Sequence, residues 1–402
     1  MQKEVLDNGL TVIYEPKKGH SVVVQVLIKT GSDDEKSSER GLSHFLEHIL
    51  FEGTKNRPDN KSISLEIEKV GGDINAYTSN ERTCFYVYVL KKHFQKAVEV
   101  LADVLQNPLL REEDIEREKK IVLKEIEMVT DEPRFYQWIL LQKTLFKKHP
   151  CQYPTYGSKE CINNLTRKNT LQYFQKHYHP SNMVVSIVGN VKGWRQIIRK
   201  NFSQPKQKLI PKNYPLEPIL KSNLSAREKK EVANTYLVLG FKTVKKNNPD
   251  AYALEVINTI LGRGQSSRLF TEIRSKKGLA YDVGTQHVAE ISYGYFAAYA
   301  CIDKKNLSHT KELILKEIQR LKELSPAELK EAQEAIEGEY YLDLEDSQKM
   351  ADQLLFWEQA KDAHQLNQFI HLIKKVTVKD IRRVIDKYFN NYAFVVLEGK
   401  GE

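Results

Sequence analysis

The chain has 402 residues, 41% of them hydrophobic, which is enough for two or more domains with real cores. No apolar run reaches the roughly 18 residues of a membrane span, and four cysteines without C-x-x-C spacing argue against a cysteine-based metal site. The net charge of +9 does not point to nucleic acid, because Lys and Glu interleave, as between Lys304 and Glu331, in the manner of solvated helix faces.

The N-terminus, Met1 to Gly9, carries charges at once and no apolar core of a secretory signal, and it reads as the start of the first strand, with a turn at Asn8-Gly9. With the cysteine usage this makes the cytoplasm the expected compartment. Periodicity then predicts strands near 10–15 and 22–30, and helices near 40–51 and 61–70. A hairpin near 73–90 follows, then helices near 93–106, 112–130, 134–146 and 167–177 and a strand near 182–189. Residues 204–222, with Pro205, Pro211, Pro215 and Pro218, read as an extended linker. Beyond it come a strand near 232–241, helices near 250–261 and 266–276, and a hairpin near 281–302. Helices near 308–324, 327–357 and 377–388 and a strand near 391–397 complete the chain. Strand, helix pair, hairpin, helices and strand thus recur after about 200 residues. The expected fold class is α+β: two homologous halves, 1–203 and 223–402, each a mainly antiparallel sheet covered by helices on one face.

The helix near 40–51 carries the sequence's chemistry. His44-Phe45-Leu46-Glu47-His48 places two imidazoles four residues apart, one above the other on a helix. At that spacing both can reach one Zn²⁺. Glu47 lies three residues after His44 and shares the face without having to be a ligand. The order H-x-x-E-H inverts the commoner H-E-x-x-H. An isolated histidine on an amphipathic helix is ordinarily a core or surface residue, and two histidines leave a zinc site one protein ligand short, so a third must come from elsewhere in the chain. The charged helix near 112–130 offers Glu118 and Glu125, two turns apart on nearly one face. By themselves both read as solvated surface glutamates.

The stretch Gly41 to Thr54 around the motif, followed by Glu125 with 76 residues between it and His48, resembles the pitrilysin/insulinase family of zinc peptidases, in its short, processing-peptidase-like subfamily. The resemblance implies that His44, His48 and Glu125 bind one zinc per chain, that Glu47 is the general base and that Glu118 orients the site. It extends to Gly71 to Ser79, which is similar to the family's substrate-binding edge strand, with Asn75, Ala76 and Tyr77 along the peptide; an ordinary hairpin is the plain reading of the same residues. In the second half Arg274 and Tyr281 resemble a substrate-contacting pair, where residue type alone suggests a surface Arg and a core Tyr. The second half has no H-x-x-E-H, so one half keeps the metal and the other keeps the fold and part of the cleft.

The activity this implies is zinc-dependent endopeptidase cleavage of peptides or unfolded segments bound as an added strand. The partners implied are a peptide and a second chain of this size, a homodimer being more economical than a heterodimer, with no membrane or nucleic acid. The competing reading is a non-catalytic or regulatory subunit, whose mark would be loss of the motif or of the distal Glu.

Overall fold

The computed structural model describes residues 1–400. Two sheets organise it. Strands β1 (Gln2–Val5), β2 (Thr11–Glu15), β3 (Ser21–Ile28), β4 (Asp73–Thr78), β5 (Thr83–Leu90) and β6 (Met183–Val188) form the first, in the order β1-β2-β6-β3-β5-β4. Strands β7 (Leu224–Lys229), β8 (Thr235–Lys242), β9 (Ala280–Ala289), β10 (Gly294–Ile302) and β11 (Ala393–Glu398) form the second, in the order β7-β11-β8-β10-β9. In each sheet one pair is parallel, β2 with β6 and β7 with β11, and the remaining pairs are antiparallel. The two-half α+β architecture read from the sequence is therefore the architecture of the molecule.

The helices follow the sequence pattern with instructive departures. They are α1 (Leu42–Ile49), α2 (Asn60–Glu68), α3 (Phe94–Gln106), α4 (Glu112–Asp131), α5 (Pro133–Leu145), α6 (Lys159–Asn163), α7 (Arg167–His177) and α8 (Trp194–Asn201). Beyond the extended stretch they are α9 (Asp250–Gly262), α10 (Leu307–Arg320), α11 (Pro326–Glu345), α12 (Ser347–Ala360), α13 (Phe369–Lys374) and α14 (Val378–Tyr388). The single helix expected over 327–357 is two helices. Asp346 interrupts it, because its carboxylate accepts the Gln348 and Lys349 N–H groups (2.7 and 3.0 Å) and so caps α12. The helix expected over 266–276 is a π-helical segment, Phe270–Lys276. Strand β1 lies where the N-terminal segment reads as the start of a strand, whereas strand β7 and helices α6, α8 and α13 are short elements that periodicity did not predict.

The inner face of the first sheet (Val12, Val22, Val24, Val26, Phe85, Val87) is buried against Leu42, Phe45, Leu46 and Ile49 of α1 and Val98, Leu101 and Leu105 of α3. Phe45 and Leu46 are fully enclosed, so the helix bearing the motif is held by its apolar side. Strand β6 is buried at every position, as a strand covered on both faces must be. Helix α12 supplies the second cover, packing on β3 and β6. In the second sheet Leu237, Leu239 and Phe241 face α9 and α10, while Val238, Ala297 and Val395 face Leu140, Leu141 and Leu145 of α5.

The compact units accordingly do not follow the chain in two simple pieces. The first comprises Met1–Glu127, Pro154–Asn213 and Asp343–Leu366; the second comprises Met128–Tyr153, Tyr214–Leu342 and Asn367–Glu402. Each sheet takes its own half's helices on one face and one helix from the other half of the sequence on the other.

Candidate metal centre

The start of α1 is held by Glu35. Its two carboxylate oxygens accept the N–H groups of Gly41 (2.8 Å) and Ser43 (2.7 Å), which a helix's first turn leaves without partners. Ser43 is also hydrogen-bonded, through its hydroxyl, to that of Tyr173 (2.8 Å). Burial pushes the Glu35 pKa up to about 8, against the pull of these backbone bonds.

Helix geometry then stacks His44 over His48, with ring centroids 4.7 Å apart. Helix α4 brings two carboxylates to them, because Glu118 and Glu125 are two turns apart on one face. Glu125 places one oxygen 3.6 Å from His44 Nε2 and the other 3.6 Å from His48 Nε2. Glu118, buried, stands 3.4 Å from His48 Nδ1. Among the described residues this trio of His44, His48 and Glu125 is the one His/Cys/Asp/Glu group arranged to hold a metal ion, with ligand atoms within 4.8 Å of one another.

These separations test the fit. A spacing of 3.6 Å is too long for a hydrogen bond. Two donors each ~2.05 Å from a tetrahedral ion stand about 3.3–3.4 Å apart, so each histidine is spaced from a Glu125 oxygen nearly as one ion would require, and the trio as a whole, within 4.8 Å, needs to close only modestly around it. Two imidazole nitrogens and a carboxylate oxygen are a donor set that suits zinc. Burial, and then the neighbouring His48, push the His44 pKa down to about 3, so its ring is neutral with a lone pair available. Burial alone would also lower His48, but the carboxylates of Glu118, Glu47 and Glu125 outweigh it and raise its pKa.

Glu47 lies beside the trio and outside it. Its Oε2 accepts the hydroxyl of Thr78, on β4, at 2.5 Å. Burial raises its pKa, the Thr78 bond and His48 acting in the opposite direction. Strand β4 is the last strand of its sheet, and one of its edges is unpaired. Ile74 and Ala76 pack toward the core, Thr78 meets Glu47, and Asn75 and Tyr77 alternate to the other face. Asn75 is exposed, whereas the Tyr77 hydroxyl donates to Asp352 on α12. Tyr77 is thus turned behind the strand, and it borders the edge through its backbone.

Arg274 and Tyr281 lie in the second unit and meet each other, the guanidinium 4.9 Å from the Phe270 ring centroid and 5.7 Å from that of Tyr281. Both are exposed, Tyr281 to 70%, so the core position that residue type suggested for this Tyr is not where it sits. Sequence reasoning missed Glu35, Thr78 and Asp352. Thr78 stood inside the quoted edge-strand segment, and only strand alternation opposite a helix could have singled it out. Glu35 and Asp352 carry no local signal.

Residues 11–159, which include both histidines and all three glutamates of the site, match the insulinase family (peptidase family M16), and residues 164–336 match the peptidase M16 inactive domain. The chain is 30% identical to the "uncharacterized zinc protease YmxG" of Bacillus subtilis (strain 168), over 100% of this chain and 99% of that one. It is 35% identical to an "uncharacterized zinc protease" of Rickettsia felis, over 78% of this chain and 75% of the relative. Among solved structures, a protease from Helicobacter pylori superposes with a TM-score of 0.93 at 26% identity, over 99% of both chains. A peptidase M16 inactive domain from Pseudomonas fluorescens shares the fold, with a TM-score of 0.89 at 20% identity.

Proposed function

We propose a zinc-dependent endopeptidase activity for this chain, which belongs to the insulinase family of M16 peptidases. The observation that carries the reading is the convergence of His44 Nε2, His48 Nε2 and the Glu125 carboxylate, with Glu47 next to them and outside the ligand set. One such trio would hold one ion per chain. Zinc held there would acidify water and polarise a scissile carbonyl.

The chain's own residues do the rest. Glu47 takes the proton of the attacking water and delivers it to the leaving amine. Its Oε2 is committed to Thr78, so the proton travels on Oε1. Glu118, at His48 Nδ1, fixes the orientation of that ring, the role of an outer carboxylate on a ligand histidine. The open edge of β4 offers main-chain N–H and C=O groups to an extended peptide, which would add to the sheet as a strand. Recognition by backbone is blind to sequence, so the substrates are peptides or unfolded segments of mixed sequence.

Arg274 and Tyr281 enter through resemblance, as donors to peptide carbonyls, up to five hydrogen bonds from the Arg and one from the Tyr. Arg274→Ala should lower kcat/KM on peptides by about tenfold or more at unchanged zinc content; unchanged kinetics would return Arg274 to an ordinary surface role. A pair of identical chains is the assembly in this reading, and sedimentation at working concentration checks it.

The activity is tested by digesting a mixed peptide library with and without chelator, read by mass spectrometry, beside Glu47→Gln as control. Chelator-sensitive cleavage absent from the variant supports the reading. Cleavage by the variant at the parent rate removes Glu47 from the base role.

A further inference from the structure

Behind the edge strand lies a polar cluster that the proposed chemistry does not use. Asp352, on α12, accepts hydrogen bonds at a single oxygen from the Tyr77 hydroxyl of β4 and from Gln25 Nε2 of β3, the latter at 2.9 Å. Gln25 is buried and its Oε1 has no partner, while its amide also meets the Cys84 thiol beside Tyr77. Burial, reinforced by Cys84 and Asp352, drives the Tyr77 pKa far above the usual tyrosine range, which keeps the hydroxyl a donor. Next to it Arg82, at the turn between β4 and β5, covers the ring of Phe356 on α12, 4.9 Å from its centroid. These contacts join β3, β4 and the β4–β5 turn to a helix drawn from residues 343–366.

An edge strand has neighbours on one side only. Strand β4 is hydrogen-bonded to β5 along one edge, and its other edge is the one offered to a peptide. On the site's face it is fixed by Thr78 to Glu47. Ile74 and Ala76 hold that same face to the core, and a tie on the other face fixes the tilt of the strand about β5. Hydrogen bonds to a carboxylate are about twice as strong as neutral ones, and Asp352 receives two of them.

We propose that Asp352 is a positioning residue for substrate: anchored by Gln25 of β3 and acting through Tyr77, it holds β4 from behind in the register that an added peptide strand requires. The inference rests on the endopeptidase reading, and it places a residue from the second half of the sequence in control of the first half's substrate strand. Asp352 touches neither the metal ligands nor the peptide. It sets the affinity for peptide and leaves metal binding and the proton shuttle alone.

The test uses the full-length chain carrying Glu47→Gln, which is expected to bind peptide without cutting it, and a fluorescent unstructured peptide followed by anisotropy. Adding Asp352→Ala should weaken binding about tenfold with zinc content unchanged. Asp352→Asn keeps an acceptor oxygen and should recover most of the affinity. Tyr77→Phe, which removes one donor and no packing volume, should weaken binding with an unchanged melting temperature, and it should add little to Asp352→Ala. In the cleaving parent the same changes should raise KM and leave kcat within about twofold. Equal peptide affinity with and without Asp352 would overturn the inference and leave the endopeptidase reading intact. Losses of zinc, melting temperature and affinity together in Asp352→Ala, with Tyr77→Phe unaffected, would reduce Asp352 to a structural residue. Failure of the Glu47→Gln chain to bind any peptide would instead sink the endopeptidase reading.

Discussion

Helices α1 and α9 hold the same place in the order of the two halves, and each sends a carboxylate to the edge strand of its own sheet. In the first unit Glu47 accepts from Thr78 on β4; in the second Glu255 meets His287 on β9, at 3.0 Å. The surroundings differ. Glu255 is already engaged by His287 and Arg263, the latter at 3.3 Å, and Asn258 one turn on is bonded to Thr285 at 2.8 Å. Around α1 two imidazoles and a glutamate face one another at distances too long for hydrogen bonds. The second unit's carboxylate is neutralised by its own neighbours, although His287 Nε2 stays without a partner, whereas the first unit's imidazoles and carboxylate meet only at distances that an ion between them would fit. A single scaffold thus carries an ion-paired carboxylate in one copy and a metal-ready site in the other.

The sharpest way to break that comparison is to remove the two carboxylates in turn. Glu47→Gln should lower peptide turnover by about a thousandfold or more, with zinc retained. Glu255→Gln should leave turnover within about twofold and zinc content unchanged. Rates on a cleaved peptide, with metal analysis on the same samples, decide it. Comparable losses in both variants would mean that the second cluster also serves the reaction.

The next effect is on metal. Alanine at His44, His48 or Glu125 should each lose most of the bound zinc after dialysis. Glu118→Gln should weaken zinc by about 10–100-fold and not abolish it, as outer partners of a ligand do. Full zinc in Glu125→Ala would transfer the third-ligand role to Glu118.

A smaller but visible effect concerns how the halves are completed. A fragment 1–203 contains every residue of the metal centre, yet it lacks α12, so the second faces of β3 and β6 lose their cover. It should bind a hydrophobic dye and melt without a cooperative transition. A fragment extended by a separately supplied 343–366 peptide should recover some order. A well-folded, fully active 1–203 would show that α12 is dispensable to the first unit.

How far all this was legible in the chain follows from the range of each signal. His44, Glu47, His48 and the Glu118/Glu125 pair are set by helix periodicity, and a repeat of 3.6 residues can be read locally. The succession of elements along each half followed from the recurring pattern, while the order of strands within each sheet did not. The destination of α12 did not, because an amphipathic helix states that it needs a partner and not which one. The crossing of α5 and α12 between halves is a tertiary fact, and Asp352 is invisible without it. Glu35 escaped for a related reason: it caps α1 from an irregular loop six and eight residues upstream of its partners, outside any capping motif. The break at Asp346 was readable, since an Asp-Ser pair inside a long helical run is cap chemistry, and periodicity alone passed over it.

The smallest expected effect compares the acids at the start of the two helices. Glu35, over α1, has its pKa pushed by burial up to about 8. Asp250, in the first turn of α9, is also raised by burial, but Arg383, Tyr388 and Lys387 overcome this and bring it down to about 2. Their linkage to stability has opposite signs. For Glu35 the folded chain keeps a proton that the unfolded chain releases above its ordinary 4.5, so its contribution falls as pH rises toward about 8. For Asp250 the contribution is present above the ordinary 3.8 and is lost as pH falls toward about 2. Melting curves should therefore show Glu35→Gln gaining on the parent between about pH 5 and pH 8.5. Asp250→Asn should be the less stable chain across that range and converge on the parent only in acid. If the Glu35→Gln difference stayed constant with pH, Glu35 would be ionised throughout, held so by the Gly41 and Ser43 N–H groups, and the start of the metal helix would be anchored by a full charge, as the start of α9 is.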